Sequence, residues 1–229
     1  MPKSERVLRI LDAFATCPND GKVLKYYENV FEAAYVLLHP FIKPVSVGKE
    51  KFRPGTYPTR SNIIKNCDAV PWGEVVTKAG LPSMAAVDIG LRSMILGLRK
   101  ELCNEEYADK IQSLSDSDDI LPPPEGYFSD FLYDSVLGYI QQLGHDWVWV
   151  GDDFGTERKL YWIEDVREDN SSTRYRRNIF TRDHGILWTV HWDSHFSFLC
   201  SSKSNLANVE NFEGFFCTPD TEIYWSVRP

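Results

Sequence analysis

No stretch of this sequence approaches the roughly 20 consecutive apolar residues that a bilayer-spanning helix needs. Its five cysteines include no CxxC pair, and its first residues, MPKSERVLRI, lack the apolar core of a secretion signal. These absences argue against a disulfide framework and a zinc ribbon, and they indicate reduced thiols. We therefore expect a cytoplasmic protein without a membrane anchor.

Catalytic signatures with fixed spacing are also missing. The sequence contains no GxSxG nucleophile elbow, no Walker phosphate loop, no GxGxxG and no HExxH metal motif. A cysteine–histidine nucleophile pair stays open, because its partners can lie far apart in the sequence. Cys200 and Cys217, however, lie among apolar residues, where thiols are usually inert. The sequence favours a protein without catalysis, and we expect no cofactor.

Positive charge is in the minority. Lys and Arg number 25 against 33 Asp and Glu, which gives a formal net charge of −8. A general nucleic-acid binder or a protein that binds anionic membranes needs the opposite sign. Electrostatic steering instead favours a basic protein partner.

Apolar residues at helical spacing dominate the first half of the chain. Gly80 suits the C-cap of one helix, and Ser83 suits the N-cap of the strongest one. Helices are predicted over residues 4–14, 24–38, 60–66, 71–79, 83–102 and 129–143.

Beyond Gly144 the apolar period falls to two, which is typical of strands. Strands are predicted over residues 146–150, 159–166, 186–192, 195–200, 214–217 and 222–227. Their short connections favour antiparallel pairing, so the predicted fold class is α+β, with a helical N-terminal part followed by a Trp-rich antiparallel sheet. The side chains expected to supply much of its core are Trp147, Trp149, Trp162, Trp188, Trp192, Phe196 and Phe198.

Residues 113–126, SLSDSDDILPPPEG, separate these two parts. Three consecutive prolines cannot continue a helix, and Ser and Asp favour turns. We predict a helical part over residues 1–112, a linker over 113–126, and a helix plus the sheet over 127–229. The two parts form either separate domains or one composite domain.

The segment HWDSH, residues 191–195, gathers metal-binding side chains in one place. In a straight strand, His191, Asp193 and His195 share one face, and the large apolar residues from Trp188 to Phe198 share the other. We therefore predict that the three polar residues form a solvent-facing row, so that replacing both histidines changes stability by only about 0.5 kcal/mol. A hairpin turn at residues 193–194 stays open as a rival interpretation.

A metal-assisted hydrolase is the enzyme alternative, with His191, Asp193 and His195 as candidate ligands. Along a strand, His191 and His195 stand roughly 13 Å apart, so one ion cannot bind both. Only His191 with Asp193, or Asp193 with His195, can share an ion, and another strand must add ligands.

Residues 74–94 have the outline of a helix-turn-helix, which makes DNA binding a second alternative. Residues 71–102 carry four basic and three acidic side chains, a balance of only +1. A DNA-reading surface needs more positive charge to bind phosphates. Two packed helices are therefore the favoured interpretation.

Three segments carry a resemblance: VPWGEVVTKAGLPSMAAVDIGLRSMI, GILWTVHWDSHFSFLCSS and EGFFCTPDTEIYW. Together they resemble an uncharacterised bacterial family of unknown function over most of the chain. The aromatic C-terminal sheet is similar in style to immunity proteins that neutralise toxin domains. The favoured function is a non-catalytic cytoplasmic protein that binds a protein partner, in the manner of an immunity protein.

Overall fold

An antiparallel sheet of seven strands forms the centre of the fold. The computed structural model describes residues 11–168 and 176–223. Numbered along the chain, the strands are β1 (Gly21–Lys22), β2 (Ala33–Leu38), β3 (Phe41–Pro44), β4 (Cys67–Val70), β5 (Trp147–Gly151), β6 (Arg158–Trp162), β7 (Asn178–Thr181), β8 (Leu187–Val190), β9 (Phe196–Ser201), β10 (Gly214–Phe216) and β11 (Glu222–Ile223). The order across the large sheet is β10-β2-β9-β8-β7-β5-β6, while β1 pairs with β11 and β3 pairs with β4.

Helices cover the sheet on both faces. They are α1 (Val23–Tyr26), α2 (Arg60–Asn66), α3 (Trp72–Ala79), α4 (Met84–Met94), α5 (Glu105–Ser117), α6 (Asp130–Gln142) and α7 (Ile163–Arg167). One face packs against α3, α4 and α5, and the other packs against α6 and α7. The longest helices in the described ranges have 13 residues, and none of these helices has the length and apolar character of a bilayer-spanning segment.

The predicted fold class is confirmed: the protein is α+β, with most helices in the first half and most strands in the second. The predicted caps are also confirmed. Gly80 closes α3 with a φ of 60°, and the Ser83 side chain accepts a hydrogen bond from the backbone N–H of Ala86 at the start of α4. The helix predicted over residues 4–14 falls largely on residues 1–10, outside the described ranges, and its described end holds a 3-10 turn at Ala13–Ala15.

The helix predicted over residues 24–38 is wrong. Helix α1 ends at Tyr26, Asn29 adopts a φ of 64°, and the chain then enters β2. Strand β2 lies between β9 and β10, and five of its six residues are buried. A continuous apolar run fits a doubly covered strand as well as a helix. The N-terminal part of the chain therefore contributes a strand to the C-terminal sheet.

The helix predicted over residues 83–102 is too long. Helix α4 ends at Met94, and Leu96 has a φ of 59°, which stops the helix. A new helix, α5, begins after Asn104, whose side chain accepts a hydrogen bond from the Tyr107 N–H.

Helix α5 also continues through the first residues of the predicted linker. The hydroxyls of Ser113 and Ser117 each donate to the carbonyl four residues earlier, at 2.8 Å. These bonds satisfy both hydroxyls within the helix, so the serines do not break it. Helix α5 ends at Ser117, and Asp119 then adopts a φ of 55°.

Four of the seven side chains that were predicted to supply the aromatic core lie in it or pack against it. Trp188 and Phe198 are fully buried, and Trp149 and Phe196 are partly buried against the core. Trp147 and Trp162, in contrast, are 36% and 43% exposed, because they lie at one margin of the sheet. Trp192 is half-buried in the turn that follows β8.

Glu213 caps helix α3 from a distant part of the chain. The N-cap residue, Pro71, provides no side-chain acceptor, and the Glu213 carboxylate accepts hydrogen bonds from the backbone N–H groups of Trp72 (2.9 Å) and Gly73 (3.0 Å). We expect Glu213→Ala to lower the free energy of unfolding by about 1–2 kcal/mol, because both N–H groups lose a charged acceptor. Urea denaturation at neutral pH measures this loss. The matched control is Glu210→Ala at an exposed position, with an expected change within about 0.5 kcal/mol; equal losses in both variants would contradict the capping role.

Candidate functional site

The HWDSH segment forms the turn between β8 and β9. Strand β8 ends at Val190, β9 begins at Phe196, and the backbone N–H of Ser194 donates to the His191 carbonyl at 3.1 Å. The hairpin interpretation is therefore the one that the structure supports, with the turn spanning residues 191–194. The two histidines lie on opposite sides of this turn.

The turn also breaks the predicted alternation of faces. Across the hairpin, Trp188 pairs with Leu199, and Thr189 pairs with Phe198. Paired residues share a face, so Trp188 packs with the core under α6, and Phe198 packs with the core under α3 and α4. The prediction that all large apolar residues from Trp188 to Phe198 share one face is wrong, because it assumed a straight strand.

The prediction of a solvent-facing polar row is also wrong. His191 and His195 are 1% and 3% exposed. The ring Nδ1 of His191 accepts from the Asp193 backbone N–H at 3.1 Å, and its Nε2 lies 3.1 Å from the Asn19 carbonyl, so Nε2 carries the proton. The ring Nδ1 of His195 lies 2.8 Å from the Pro123 carbonyl and donates to it. Burial lowers the pKa of each histidine to about 4, so both are neutral at pH 7.

A third histidine, His39, follows β2 directly and extends this buried group. Its backbone N–H donates to the His195 carbonyl at 3.2 Å, and its Nε2 lies 3.0 Å from the Ser197 hydroxyl oxygen. The same oxygen accepts the Trp188 indole N–H at 2.9 Å. Burial lowers the pKa of His39 to about 3. Three neutral histidines thus lie at the end of the sheet where β8, β9 and β2 meet.

Asp193 points to a different set of neighbours. Its side chain shares a hydrogen bond with Glu125 and interacts electrostatically with Arg92. Burial raises the pKa of both carboxyl groups. Asp193 raises the pKa of Glu125 further, whereas the hydrogen bond with Glu125 lowers the pKa of Asp193. Such a pair is suited to general acid–base chemistry in an open cleft. Here it joins the turn to the loop at residues 122–126, and the Gly126 N–H donates to the Ser194 carbonyl at 2.9 Å.

These contacts engage several of the donor atoms that a metal centre at the three predicted ligands would use, while the buried Nε2 of His195 has no hydrogen-bond partner among the described residues. Both ring nitrogens of His191 are engaged with the backbone, and His195 turns its Nδ1 to Pro123. Over residues 11–168 and 176–223, no group of three or more His, Cys, Asp or Glu side chains is arranged to hold a metal ion. The arrangement instead fastens loops to the end of the sheet.

The other sequence candidates are also built into the packing. In the helix-turn-helix outline, α3 and α4 both form, but Arg92 of α4 is buried and donates to the Gly97 carbonyl at 2.7 Å. That cation is therefore not available to DNA phosphates. Burial raises the pKa of the Cys200 thiol, and it raises the pKa of Cys217 to about 12, which disfavours the nucleophilic thiolate.

A more accessible candidate lies at the opposite side of the sheet. Strand β6 is the last strand in the sheet order and pairs with β5 on one side. Its side chains alternate, so Arg158, Leu160 and Trp162 share one face, while Lys159 and Tyr161 share the other. A shallow groove of about 500 Å³ runs beside it, lined by Val150, Thr156, Glu157, Arg158, Lys159, Tyr161 and Arg176. We call β6 with this groove the β6 edge.

Two tryptophans mark one end of the β6 edge. Trp162 pairs directly with Trp147 across β5 and β6, and their ring centroids are 3.6 Å apart. Both rings are more than one-third exposed, although each would be stabilised by burial. A contiguous pair of exposed indoles is typical of surfaces that contact other proteins.

The β6 edge is locally basic in an acidic protein. Its groove holds three cations, Arg158, Lys159 and Arg176, and one anion, Glu157. Arg176 pairs with Glu157 at 2.9 Å, and Arg158 pairs with Asp12 at 2.8 Å. The Lys159 ammonium lies 4.9 Å from the Tyr161 ring centroid, so it covers the aromatic face while remaining exposed. This local charge is opposite in sign to the net charge of the chain.

Comparison with known proteins identifies the family. A family model described as protein of unknown function (DUF2711) matches residues 19–227. The chain belongs to this family. The resemblance to an uncharacterised family is confirmed, and no curated protein and no solved structure matches the chain. The DUF2711 match spans both the HWDSH turn and the β6 edge, and it assigns no chemistry to either.

In this DUF2711 chain, sequence reasoning located the HWDSH turn but missed most of its neighbours. His39 lies 158 residues from its partner Ser197, and no local pattern connects them. Glu125 follows three prolines, a pattern that predicts only a spacer. The β6 edge did carry a signal, because a Lys among strand-forming residues is typical of an edge strand.

Proposed function

We propose that this protein is a non-catalytic cytoplasmic binding protein, which holds an extended acidic segment of a protein partner along the β6 edge. The observation that supports this proposal is the exposed edge strand, flanked by a basic groove and by the Trp147–Trp162 pair. A segment that adds to a sheet edge gains main-chain hydrogen bonds, and its alternate side chains reach both faces of the sheet. Blocking a toxin domain is one activity that needs only such a surface.

The alternation of β6 suits a particular pattern in the partner. One set of the partner's side chains faces Leu160 and Trp162, where apolar groups gain burial. The other set faces Lys159 and Tyr161, where carboxylates gain a charged contact. An alternation of apolar and acidic residues over about five positions matches the length of β6.

Charged residues on an edge strand also protect proteins from pairing with their own copies. Two β6 strands meeting edge to edge place the positive charges of Arg158 and Lys159 from both copies in one short interface, which opposes association. The same cations attract an acidic segment, so the positive charge of β6 favours an acidic partner segment over a second copy of this chain. The basic partner predicted from the net charge of −8 remains a prediction for the rest of the surface.

A peptide-display selection on the full-length protein tests this function. We expect enrichment of extended peptides that alternate apolar and acidic residues, with binding that protects the outward-facing backbone amides of Arg158, Leu160 and Trp162 from hydrogen exchange. Lys159→Glu should weaken the selected peptides by about tenfold, because one close cation becomes an anion. The matched control is Lys65→Glu on the exposed face of α2, which changes the net charge equally and should leave binding within about twofold.

Three results would refute this proposal. One is a selection that enriches no peptides. Another is a set of peptides whose binding falls equally in both variants, which indicates long-range charge alone. The third is protection that appears away from residues 158–162.

A further inference from the structure

A small cavity lies between helix α4 and the part of the sheet formed by β9, β2 and β10. Its volume is about 190 Å³. Its walls come from β2, β9, β10 and β11, together with α1, α3 and α4, and are formed by Val23, Val36, Leu38, Trp72, Met84, Ala85, Asp88, Phe196, Phe198, Phe215, Thr221, Glu222 and Ile223. Among the strands that the structure describes, β10 and β6 lie at opposite edges of the large sheet, so this cavity is separate from the β6 edge.

Asp88 is the one charged side chain that α4 contributes to this wall. Its Oδ1 is buried and has no hydrogen-bond partner in the part of the chain that the structure describes, although the residue as a whole is partly exposed. Burial raises the pKa of Asp88, and the Arg92 guanidinium one turn further along α4 opposes that rise. An unpaired carboxylate next to an apolar cavity is unfavourable unless a donor or cation reaches it.

The remaining wall is aromatic and contains no cation. Trp72, Phe196, Phe198 and Phe215 contribute rings, and none of the thirteen lining residues is Lys, Arg or His. Aromatic faces attract cations, and the attraction increases when water is excluded. Glu222 adds a second carboxylate to the lining. The cavity therefore combines apolar volume with negative potential.

We propose that this cavity binds a small organic ammonium ion, with the ammonium group against the part of the Asp88 carboxylate that lines the cavity and a compact apolar group among the aromatic rings. The volume sets the size of the ligand. A protein cavity of about 150 Å³ holds benzene, so about 190 Å³ holds one ring with a short substituent. The ammonium donates to the Asp88 carboxylate where it lines the cavity.

The test compares a cation with a neutral molecule of the same shape. Isothermal titration of the full-length protein with benzylammonium and with benzyl alcohol should show that benzylammonium binds about tenfold or more tightly, because a charged hydrogen bond is gained. Asp88→Asn keeps the shape of the side chain and removes its charge. This variant should lose about tenfold in benzylammonium affinity and keep its benzyl alcohol affinity within about threefold. The retained binding of benzyl alcohol reports that the cavity is intact.

Glu222→Gln serves as the matched control, because it removes one carboxylate from the same wall. We expect it to change benzylammonium affinity by no more than about threefold, since Glu222 lies directly across β1 and β11 from Lys22, whose charge offsets its own. The proposal is overturned if neither probe binds, if the two probes bind equally, or if Asp88→Asn leaves benzylammonium affinity unchanged. These outcomes are independent of peptide binding at the β6 edge, because the two surfaces share no lining residue.

Discussion

Lowering the pH from 7 to 4.5 is expected to destabilise the protein by about 2 kcal/mol for each of its three buried histidines, His39, His191 and His195. Their folded pKa values of about 3, 4 and 4 lie below the ordinary value of about 6.5. As the pH falls through 6.5, the unfolded chain therefore takes up protons that the folded chain cannot. Stability is lost between about pH 6.5 and pH 4, and urea denaturation at several pH values measures the loss.

A histidine variant separates the loss of stability that a buried histidine causes at low pH from the contribution of the buried carboxyl groups. Burial raises the pKa of Asp88, Glu125 and Asp193, and these groups act in the opposite direction because the folded state binds their protons more tightly. His195→Asn keeps a donor near the Nδ1 position and removes the titrating ring. Between pH 7 and 4.5 it should lose about 2 kcal/mol less stability than the unmodified protein.

His184→Asn provides the matched control for this comparison. His184 is exposed, and its φ of 60° is one that Asn tolerates. We expect its pH dependence to follow that of the unmodified protein. If His195→Asn also follows the unmodified protein, the buried ring does not drive acid unfolding.

Trp188→Ala is expected to lower the free energy of unfolding by about 3–5 kcal/mol. The indole is fully buried, its ring centroid lies 3.9 Å from that of Phe128, and its N–H donates to Ser197. Truncation leaves a cavity at the packing centre between the sheet and α6, and it removes a donor from a buried hydroxyl. Chemical denaturation followed by far-UV circular dichroism measures the loss.

Trp162→Ala is the matched comparison, because it removes the same side chain from the margin of the same sheet. With 43% of the residue exposed, we expect a loss of about 1 kcal/mol, mostly from its contact with Trp147. Similar losses in the two variants would contradict the division between a buried and an exposed tryptophan. Trp188→Phe, which fills most of the volume, should recover part of the loss.

Local chemistry accounts for what the sequence predicted correctly. Helix ends were found where one residue determines the geometry, as at Gly80 and Ser83. Strands β5, β6, β8, β9 and β10 were predicted because β-branched and aromatic residues are concentrated there. Strand β7 was missed, and residues 163–166, predicted as the end of a strand, form helix α7. Strand β2 was missed because AAYVLL is apolar throughout, and only pairing with β9 and β10 determines that it is extended.

The candidate site was predicted less well, because its properties depend on distant parts of the chain. The sequence identified HWDSH by residue type, but burial of His191 and His195 comes from loops at residues 18–20 and 122–126. The alternation of polar and apolar residues also predicted that one face of the antiparallel sheet is buried and the other faces solvent. Helices cover both faces here, so polar residues of β8 and β9 such as Thr189 and Ser197 are buried and hydrogen-bonded.

The position of β2 has a consequence for how the chain reaches this fold during synthesis. Residues 33–38 leave the ribosome early, yet their partners are residues 196–201 and 214–216. At a synthesis rate of about 5–20 residues per second, the apolar strand waits roughly ten seconds or more for its neighbours. Pairings that span such sequence distances also fold slowly. The nascent chain therefore exposes AAYVLL to chaperones and to other chains, and fragments that end before residue 196 should aggregate.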